Sequence, residues 1–555
     1  MRPWQLSAVG WAAAGLCLIP MASVIVAAFS GGTDTIASLW DTVLPRYAGN
    51  TALLVLIVAL GTAFIGTGGA WLVAMCRFPG RRLFEIALAL PLTFPAYVLA
   101  YAYTDLLDHP GWVQTSLRDL MGWGPRDYWF PEIRSLGGAA AMLIFVHYPY
   151  VYLLARAAFL RQSATAYIAA RTLGHGPWRA FFRVSLPIAR PGIAGGVLLA
   201  VMETIADYGT VAYFAVQTFA TGIYLSWFAL FDRPAAAQLA LCLLAVALIL
   251  AILEKAQRNH IRHHDAGRRF ERMEPIELRG RQALGAITFC ALPVFFGFLL
   301  PAFLLVMLAA GSGQAFWTPR YLGFFQHSVT LAGIAAVLTV AAAIALGLYG
   351  RLYPTRRAQG LQRVASIGYA VPGGVIAVGL LFPFAWIDNT VDAFMEARFG
   401  IDTGLLITGS IWLMIIAYMV RFMAIALNSY DGGMATLNPN VDAVARTLGQ
   451  RPTGLLRRVH FPILRPAILT ALLIVFVDVM KELPATLILR PFNYDTLAVQ
   501  AHRLASDERL HEAAVPSLLI GAVGLLPVIL LCLSIRREGA VDRPEKTGAM
   551  MGARS

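Results

Sequence analysis

A segment of this chain occurs twice. Ala170-Arg171-Thr172-Leu173-Gly174 opens one copy and Ala445-Arg446-Thr447-Leu448-Gly449 opens the other, 275 residues later (445 − 170). In both, nine residues separate the glycine from a valine (Val184, Val459), a proline follows three positions on (Pro187, Pro462), and Ile-x-Arg-Pro closes the copy at Pro191 or Pro466. Aligned without gaps, 12 of the 22 positions from Ala170 to Pro191 match those from Ala445 to Pro466. The fold therefore has to present one element in two equivalent settings.

The surroundings of the repeat are apolar. The 555 residues are 58% hydrophobic and 14% charged, against roughly 25% charged in soluble domains. Apolar runs recur near the ~20 residues that carry a helix across ~30 Å of hydrocarbon. They fall at roughly 7–29, 50–76, 84–106, 136–155, 192–216 and 235–253, then 284–310, 328–350, 363–386, 404–427, 466–488 and 513–535. A membrane β-barrel needs alternating segments of ~10 residues, and the sequence has none. The expected fold class is an all-α polytopic membrane protein of about 12 transmembrane helices, built as two six-helix repeats. Six is even, so the halves enter the membrane in the same direction, unlike inverted repeats.

Of the 44 basic residues three are lysine (Lys255, Lys481, Lys546), and arginine crowds alternate loops. Arg77, Arg81 and Arg82 follow the second run, and Arg351, Arg356, Arg357 and Arg363 follow the eighth. The repeated segments add Arg179, Arg183 and Arg190, then Arg451, Arg457, Arg458 and Arg465. Positive loops stay in the cytoplasm, which places both repeats and both termini there. The formal charge of +13 then reports topology, and no nucleic-acid partner is implied. The run at 7–29 is too long for the apolar core of a signal peptide and reads as an uncleaved first span. The expected organisation is a first half at 1–253, a basic linker at 254–283, a second half at 284–538 and a polar cytoplasmic tail at 539–555. His260, His263 and His264 in the linker read as solvated residues beside anionic lipid rather than a metal site. The five cysteines are scattered singly, without metal-ligand spacing.

Each repeat has the grammar of helix, glycine, helix. Residues 164–173 suit a helix that Gly174 ends in the left-handed conformation, Pro177 suits the first turn of a second short helix, and Pro187 should terminate it. Gly449, Pro452 and Pro462 repeat that placement. The segment resembles the loop shared by permease subunits of bacterial ATP-binding-cassette importers: Glu-Ala-Ala, three residues, Gly, nine residues, Ile-x-Leu-Pro. Ala169-Ala170, Gly174, Val184, Leu186 and Pro187 fit in the first copy, and Ala445, Gly449, Val459 and Pro462 in the second. The Glu position holds Ile168 and Ala443, with Asp442 one residue before the latter, and Phe461 replaces the Leu. The resemblance implies the type I importer permease fold in the bacterial inner membrane. It implies that Ala170, Arg171, Gly174 and Pro187, and Ala445, Arg446, Gly449 and Pro462, form coupling loops docked on two copies of an ATPase subunit. A periplasmic binding protein would deliver the cargo. The chain binds no cofactor of its own and is no enzyme: a phosphate-binding loop needs a Gly-Lys pair, and Glu254, Met480 and Glu545 precede the three lysines. ATP is used by the partner subunit.

Ionisable groups inside spans cost about 2.5–3.5 kcal/mol at a helix centre and mark function by default. The fifth run carries Glu203 and Asp207, one turn apart, followed by Tyr208. The eleventh carries Asp478, Lys481 and Glu482, with Asp478 and Glu482 at the 275 offset from Glu203 and Asp207. Two readings stand: these residues line a translocation pathway between the halves, or Asp478 and Lys481 neutralise each other within a helix. The runs Met202-Glu203-Thr204-Ile205-Ala206-Asp207-Tyr208-Gly209-Thr210-Val211 and Asp478-Val479-Met480-Lys481-Glu482-Leu483-Pro484-Ala485-Thr486 resemble ferric-iron importer permeases, as does the fused layout. Fe(III) is a hard cation suited to carboxylate and phenolate oxygen. No metal ligands are assigned, because in such systems the binding protein supplies most selectivity. The alternatives are the same machine with thiamine, phosphonate or polyamine as cargo, and an ion-gradient-driven transporter that uses these carboxylates as proton relays and needs no ATPase. An intramembrane enzyme would want a histidine or metal-binding cluster, and His147 stands alone in its span. Gly174→Asp and Gly449→Asp are expected to abolish transport while membrane insertion, read by cell fractionation, stays at the wild-type level.

Overall fold

The computed structural model describes residues 3–30, 32–160, 172–174, 176–264, 275–313, 318–435, 437–450 and 452–541. Among them 11 helices are long and apolar enough to cross a membrane, and a twelfth span is a helix pair, Arg81–Thr93 and Ala96–Met121, bent by 90°. In chain order the spans, numbered one to twelve, are Ser7–Ser30, Leu44–Met75, the bent pair, Leu136–Leu160, Phe181–Ala206, Arg233–Glu254, Arg281–Gly311, Pro319–Leu352, Gly373–Phe399, Ile411–Met434, Leu456–Lys481 and Leu510–Leu530. This is the all-helical, six-plus-six architecture that the apolar runs predict.

Three boundaries differ from the sequence reading. Span three is not one straight helix: Leu90–Thr93 forms a 3-10 turn with a proline in its first turn, and Pro95 precedes the helix Ala96–Leu107. Two prolines without N–H groups interrupt the helical ladder there. The fifth and eleventh runs are broken as well. Helix Leu186–Ala206 stops before Asp207 and resumes as Gly209–Tyr213, and helix Phe461–Lys481 stops before Glu482 and resumes as Pro484–Leu489. Glu203 and Asp207 thus do not share one continuous helix face. Third, the helix of span six runs on to His264, so the linker begins as its extension. Ile276–Glu277, later in the linker, pairs in parallel with Cys76–Arg77 at the end of span two, joining Cys76 to Ile276 and Arg77 to Glu277.

The two halves exchange their first spans. Span one packs on span six of its own half and, across to the second half, on spans eight and nine and on helix Arg356–Ala365. Gly10 faces Leu346, Tyr349 and Leu361, and the Pro20 carbonyl lies against Gly379. Span seven reciprocates: Phe289 packs edge-on to Phe64 with centroids 5.6 Å apart, and the Tyr103 hydroxyl donates to the Phe296 carbonyl at 2.6 Å. Between these exchanged helices spans four and ten form the buried middle of the bundle, with Tyr148, Tyr152 and Tyr418 fully enclosed.

Small residues permit the closest crossings, as they do between membrane helices generally. A Cβ on Gly196 of span five would lie 2.6 Å from the Val151 Cα and 3.0 Å from the Tyr150 carbonyl oxygen, both backbone atoms of span four. Gly15 has nothing within 4 Å of the same position. Gly196→Ala is therefore expected to cost about 1–3 kcal/mol through overpacking, read as a lowered thermal midpoint of the purified protein. Gly15→Ala should stay within about 0.5 kcal/mol of wild type.

Candidate functional site

The repeated segment folds alike in both halves, at the same offset. A short helix Pro177–Ala180 runs through a π-helical turn, Phe181–Ser185, into Leu186–Ala206, and Pro452–Leu455 runs through Leu456–His460 into Phe461–Lys481. Pro187 and Pro462 do not end the short helices, as the sequence suggests. Each sits in the first turn of the following helix, where a missing N–H does no harm, and the wider π turn before it absorbs the register. The repeat is thus joined to its span as one continuous rod.

Gly174 and Gly449 have φ of +81° and +77°, a conformation that glycine adopts without steric penalty. In the second copy helix Pro439–Thr447 closes with the Gln450 N–H donating to the Ala445 carbonyl at 3.0 Å, the long bond of a Schellman turn. Ala445 is buried, and neither glycine has an atom within 4 Å of a Cβ position. Substitution there would meet backbone strain and alter an open surface rather than clash with the core. Ala170 and Arg171 lie outside the described residues, with Ile168 and Ala169, and of Arg446 only the backbone is described.

Asp442, beside the motif's vacant acid position, is committed inside the chain. Its Oδ2 accepts from Arg351 Nε at 2.7 Å, and its Oδ1 faces His460 Nε2 at 2.8 Å. Arg351 belongs to span eight and His460 to the π turn before span eleven, so one carboxylate clamps the helix Pro439–Thr447 to both. Burial opposes the charge on Asp442, but the hydrogen bonds from His460 and Arg351 outweigh it and hold the carboxyl below its ordinary range. At the same offset the first half has Tyr167 and Ser185 in place of Asp442 and His460, so this clamp belongs to the second half alone.

The six pathway candidates Glu203, Asp207, Tyr208, Asp478, Lys481 and Glu482 converge on one cavity of about 160 Å³ between the halves. Their surroundings divide them by role. Asp207 accepts from the backbone N–H groups of Thr210 (3.0 Å) and Val211 (3.3 Å), and Glu482 from those of Ala485 and Thr486 (both 3.1 Å). These two carboxylates tie down the turns that follow the helix breaks. Glu203 accepts from the Tyr369 hydroxyl at 2.8 Å, and Asp478 makes no hydrogen bond or ion pair among the described residues. Lys481 donates to the Leu92 carbonyl at 2.8 Å and closes no ion pair on Asp478 among the described residues. The Tyr208 ring stacks on Tyr224 at 3.7 Å. His147 lines the same cavity and shares a 3.3 Å contact with the Thr204 hydroxyl.

Sequence reasoning passed over Arg421, Tyr369 and Tyr150, which also line the cavity. Arg421 Nη1 is buried without a hydrogen-bond partner and lies 3.8 Å from Glu482 Oε1. An arginine in the middle of the apolar run 404–427 is the signal that would have found it.

Comparison with known proteins gives a consistent family. Binding-protein-dependent transport system inner membrane component matches twice, at residues 65–263 and 340–537. An Fe(3+)-transport system permease protein of Haemophilus influenzae is 25% identical over 93% of this chain and 95% of its own length. A molybdenum transport system permease protein of Escherichia coli is 27% identical over 39% of this chain and 92% of its own length. A sulfate transport system permease protein of Synechocystis is 29% identical over 45% and 90%. Among solved structures, a chain of a bacterial alginate ABC transporter, in complex with alginate pentasaccharide-bound periplasmic protein, is 18% identical, covering 46% of this chain and 94% of that one at a TM-score of 0.36.

Removing the carboxylate with Asp442→Ala leaves Arg351 and the buried His460 without it and is expected to cost about 3–5 kcal/mol, read as faster proteolysis at the helix Pro439–Thr447. Because the folded pKa is lowered, the clamp is at full strength at neutral pH. It should weaken only below about pH 4, the ordinary aspartate range, as pH falls through the folded value. The thermal-midpoint gap between wild type and Asp442→Asn is expected to shrink below about pH 4 as the carboxylate takes up its proton.

Proposed function

This chain belongs to the family of binding-protein-dependent transport system inner membrane components, and on that footing we propose that its cargo is ferric iron. It is a multi-pass inner-membrane permease of an ABC importer, it is not itself catalytic, and a partner ATPase hydrolyses the ATP. Two ATPase copies would grip the elements around Gly174 and Gly449 at the arginine-rich, cytoplasmic end. A periplasmic binding protein would deliver cargo at the other end. Closure of the ATPases would move the rods that begin at Pro177 and Pro452 and so reshape the cavity where those rods terminate, the structural requirement of alternating access.

The observation that carries the cargo reading is the pair Glu203 and Asp478. They come from equivalent positions of the two halves and face one cavity, and the capping duty at the helix breaks falls to Asp207 and Glu482 instead. Carboxylate oxygens with phenols nearby suit a hard trivalent cation. Among the described residues no cage of three or more such ligands is built there, so a cation can enter and leave. The full-length likeness to the Haemophilus influenzae Fe(3+) permease agrees with this reading. A second reading, an oxyanion cargo, draws on Arg421, whose Nη1 makes no hydrogen bond, and on the half-length molybdenum and sulfate relatives.

Uptake of radioactive Fe(III) by iron-starved cells, with and without this gene and with ATP depleted as control, separates the two. Loss of ATP-dependent iron uptake in the deletion is expected, with molybdate and sulfate uptake unchanged. Glu203→Gln with Asp478→Asn should lower the rate about tenfold or more, the equivalent of ~1.4 kcal/mol in one binding step. Unchanged iron uptake in a strain without other iron systems would end the iron assignment.

A further inference from the structure

An apolar groove of about 780 Å³ opens in the first half beside the coupling rod. Its walls are span two from Ala63 to Leu72, the π turn residues Phe181 and Phe182 with Leu186 and Ile193, the linker residues Ile276 and Leu278, and the start of span seven up to Phe289. The volume falls within the ~300–1,000 Å³ of small-molecule sites. Of its lining side chains Thr67, Gln282 and the indole of Trp71 carry polar atoms, and the rest are apolar.

At the equivalent place in the second half the described residues are closed up. Gly285 and Gly10 stand at the 275 offset on the exchanged spans seven and one. A Cβ on Gly10 would touch Leu346 and Leu361 at 3.4 Å, whereas a Cβ on Gly285 meets nothing within 4 Å. Span one is seated on its neighbours, and span seven, held off by Phe289 against Phe64 and Gly68, leaves the space open.

Its shape and rim identify an occupant. From Trp71 to Ala63 the groove follows span two for about 12 Å at 1.5 Å per residue, most of the ~15 Å depth of one leaflet. At its arginine-rich end three exposed arginines adjoin lining residues: Arg183 follows Phe182, Arg281 precedes Gln282, and Arg77 pairs with Glu277 between Ile276 and Leu278. Arg279, the next in line, is already bridged to Glu277 at 2.6 Å. A slot for one extended hydrocarbon chain, with cations at the membrane–water boundary, is complementary to an anionic phospholipid. We propose that the groove is a specific binding site for one anionic phospholipid, its acyl chain along span two and its head group on Arg183 and Arg281. Because Phe181 and Phe182 belong to the rod that starts beside Gly174, the lipid would brace the coupling element of the first half only.

Native mass spectrometry of the purified full chain, titrated with phosphatidylglycerol or with phosphatidylethanolamine, tests this. The wild type is expected to retain one phosphatidylglycerol through delipidation and to bind it at least about fivefold more tightly than phosphatidylethanolamine, a single arginine's contribution. Gly285→Leu projects a side chain into the open groove and should remove the retained lipid with no loss of monodispersity. Arg183→Gln with Arg281→Gln leaves the groove intact and should abolish only the head-group preference. Equal retention of both lipids by the wild type, undiminished retention in Gly285→Leu, or a polypeptide found in the groove would each overturn the proposal.

Discussion

A helix interrupted inside hydrocarbon leaves N–H groups that no water can satisfy, at several kcal/mol each. The interior of this bundle is arranged around meeting that demand in two equivalent places. After Ala206 and after Lys481 the backbone turns out of its helix, and the side chain at the turn, Asp207 or Glu482, folds back to accept the orphaned N–H groups of the next turn. Those turns in turn position the cavity. Leu483 and Tyr97 close on Gly209, and the Tyr224 hydroxyl donates to the Pro484 carbonyl, so the break of one half is braced by the other. Without the two carboxylates those N–H groups would be left without an acceptor inside the bundle.

The duplication is faithful in backbone and unfaithful in chemistry. The π turns of the repeated segment and the helices that follow them recur at the same offset to the residue, yet Arg421 answers to Val146, Lys481 to Ala206 and the Asp442–His460 pair to Tyr167 and Ser185. The positive charges in the cavity and the clamp on the coupling helix both come from the second half. Two rods moved equally by their motors would therefore meet different resistance at their far ends.

Much of this was legible beforehand, for physical reasons. Hydrocarbon demands ~20 apolar residues per crossing, so spans show in the sequence as long runs. Left-handed turns favour glycine, so Gly174 and Gly449 announced helix ends that the structure places at φ near +80°. The 275 offset brought Glu203, Asp207, Asp478 and Glu482 together before any coordinates did. Breaks within apolar runs were not legible: composition barely changes across Asp207 or Glu482, and only the capping geometry shows that two of four carboxylates are structural. Pro187 and Pro462 misled in the opposite sense, because a proline in the first turn of a helix and a proline after its end look alike in one dimension. The role of Asp442 depended on Arg351 and His460, partners at distances along the chain that no local pattern connects.

The exchange of spans one and seven has a consequence for how the protein comes into being. Span one leaves the ribosome well before the surfaces of the second half that help to cover it, from Leu346 to Gly379. Span six of its own half can reach it sooner, and until the second half emerges lipid stands in for the rest of its neighbours. The first six spans, meanwhile, lack the seventh that completes their flank. Neither half is a finished object on its own, and assembly is a single late event of the whole chain, with the high contact order and exposure to misassembly that long-range pairing brings.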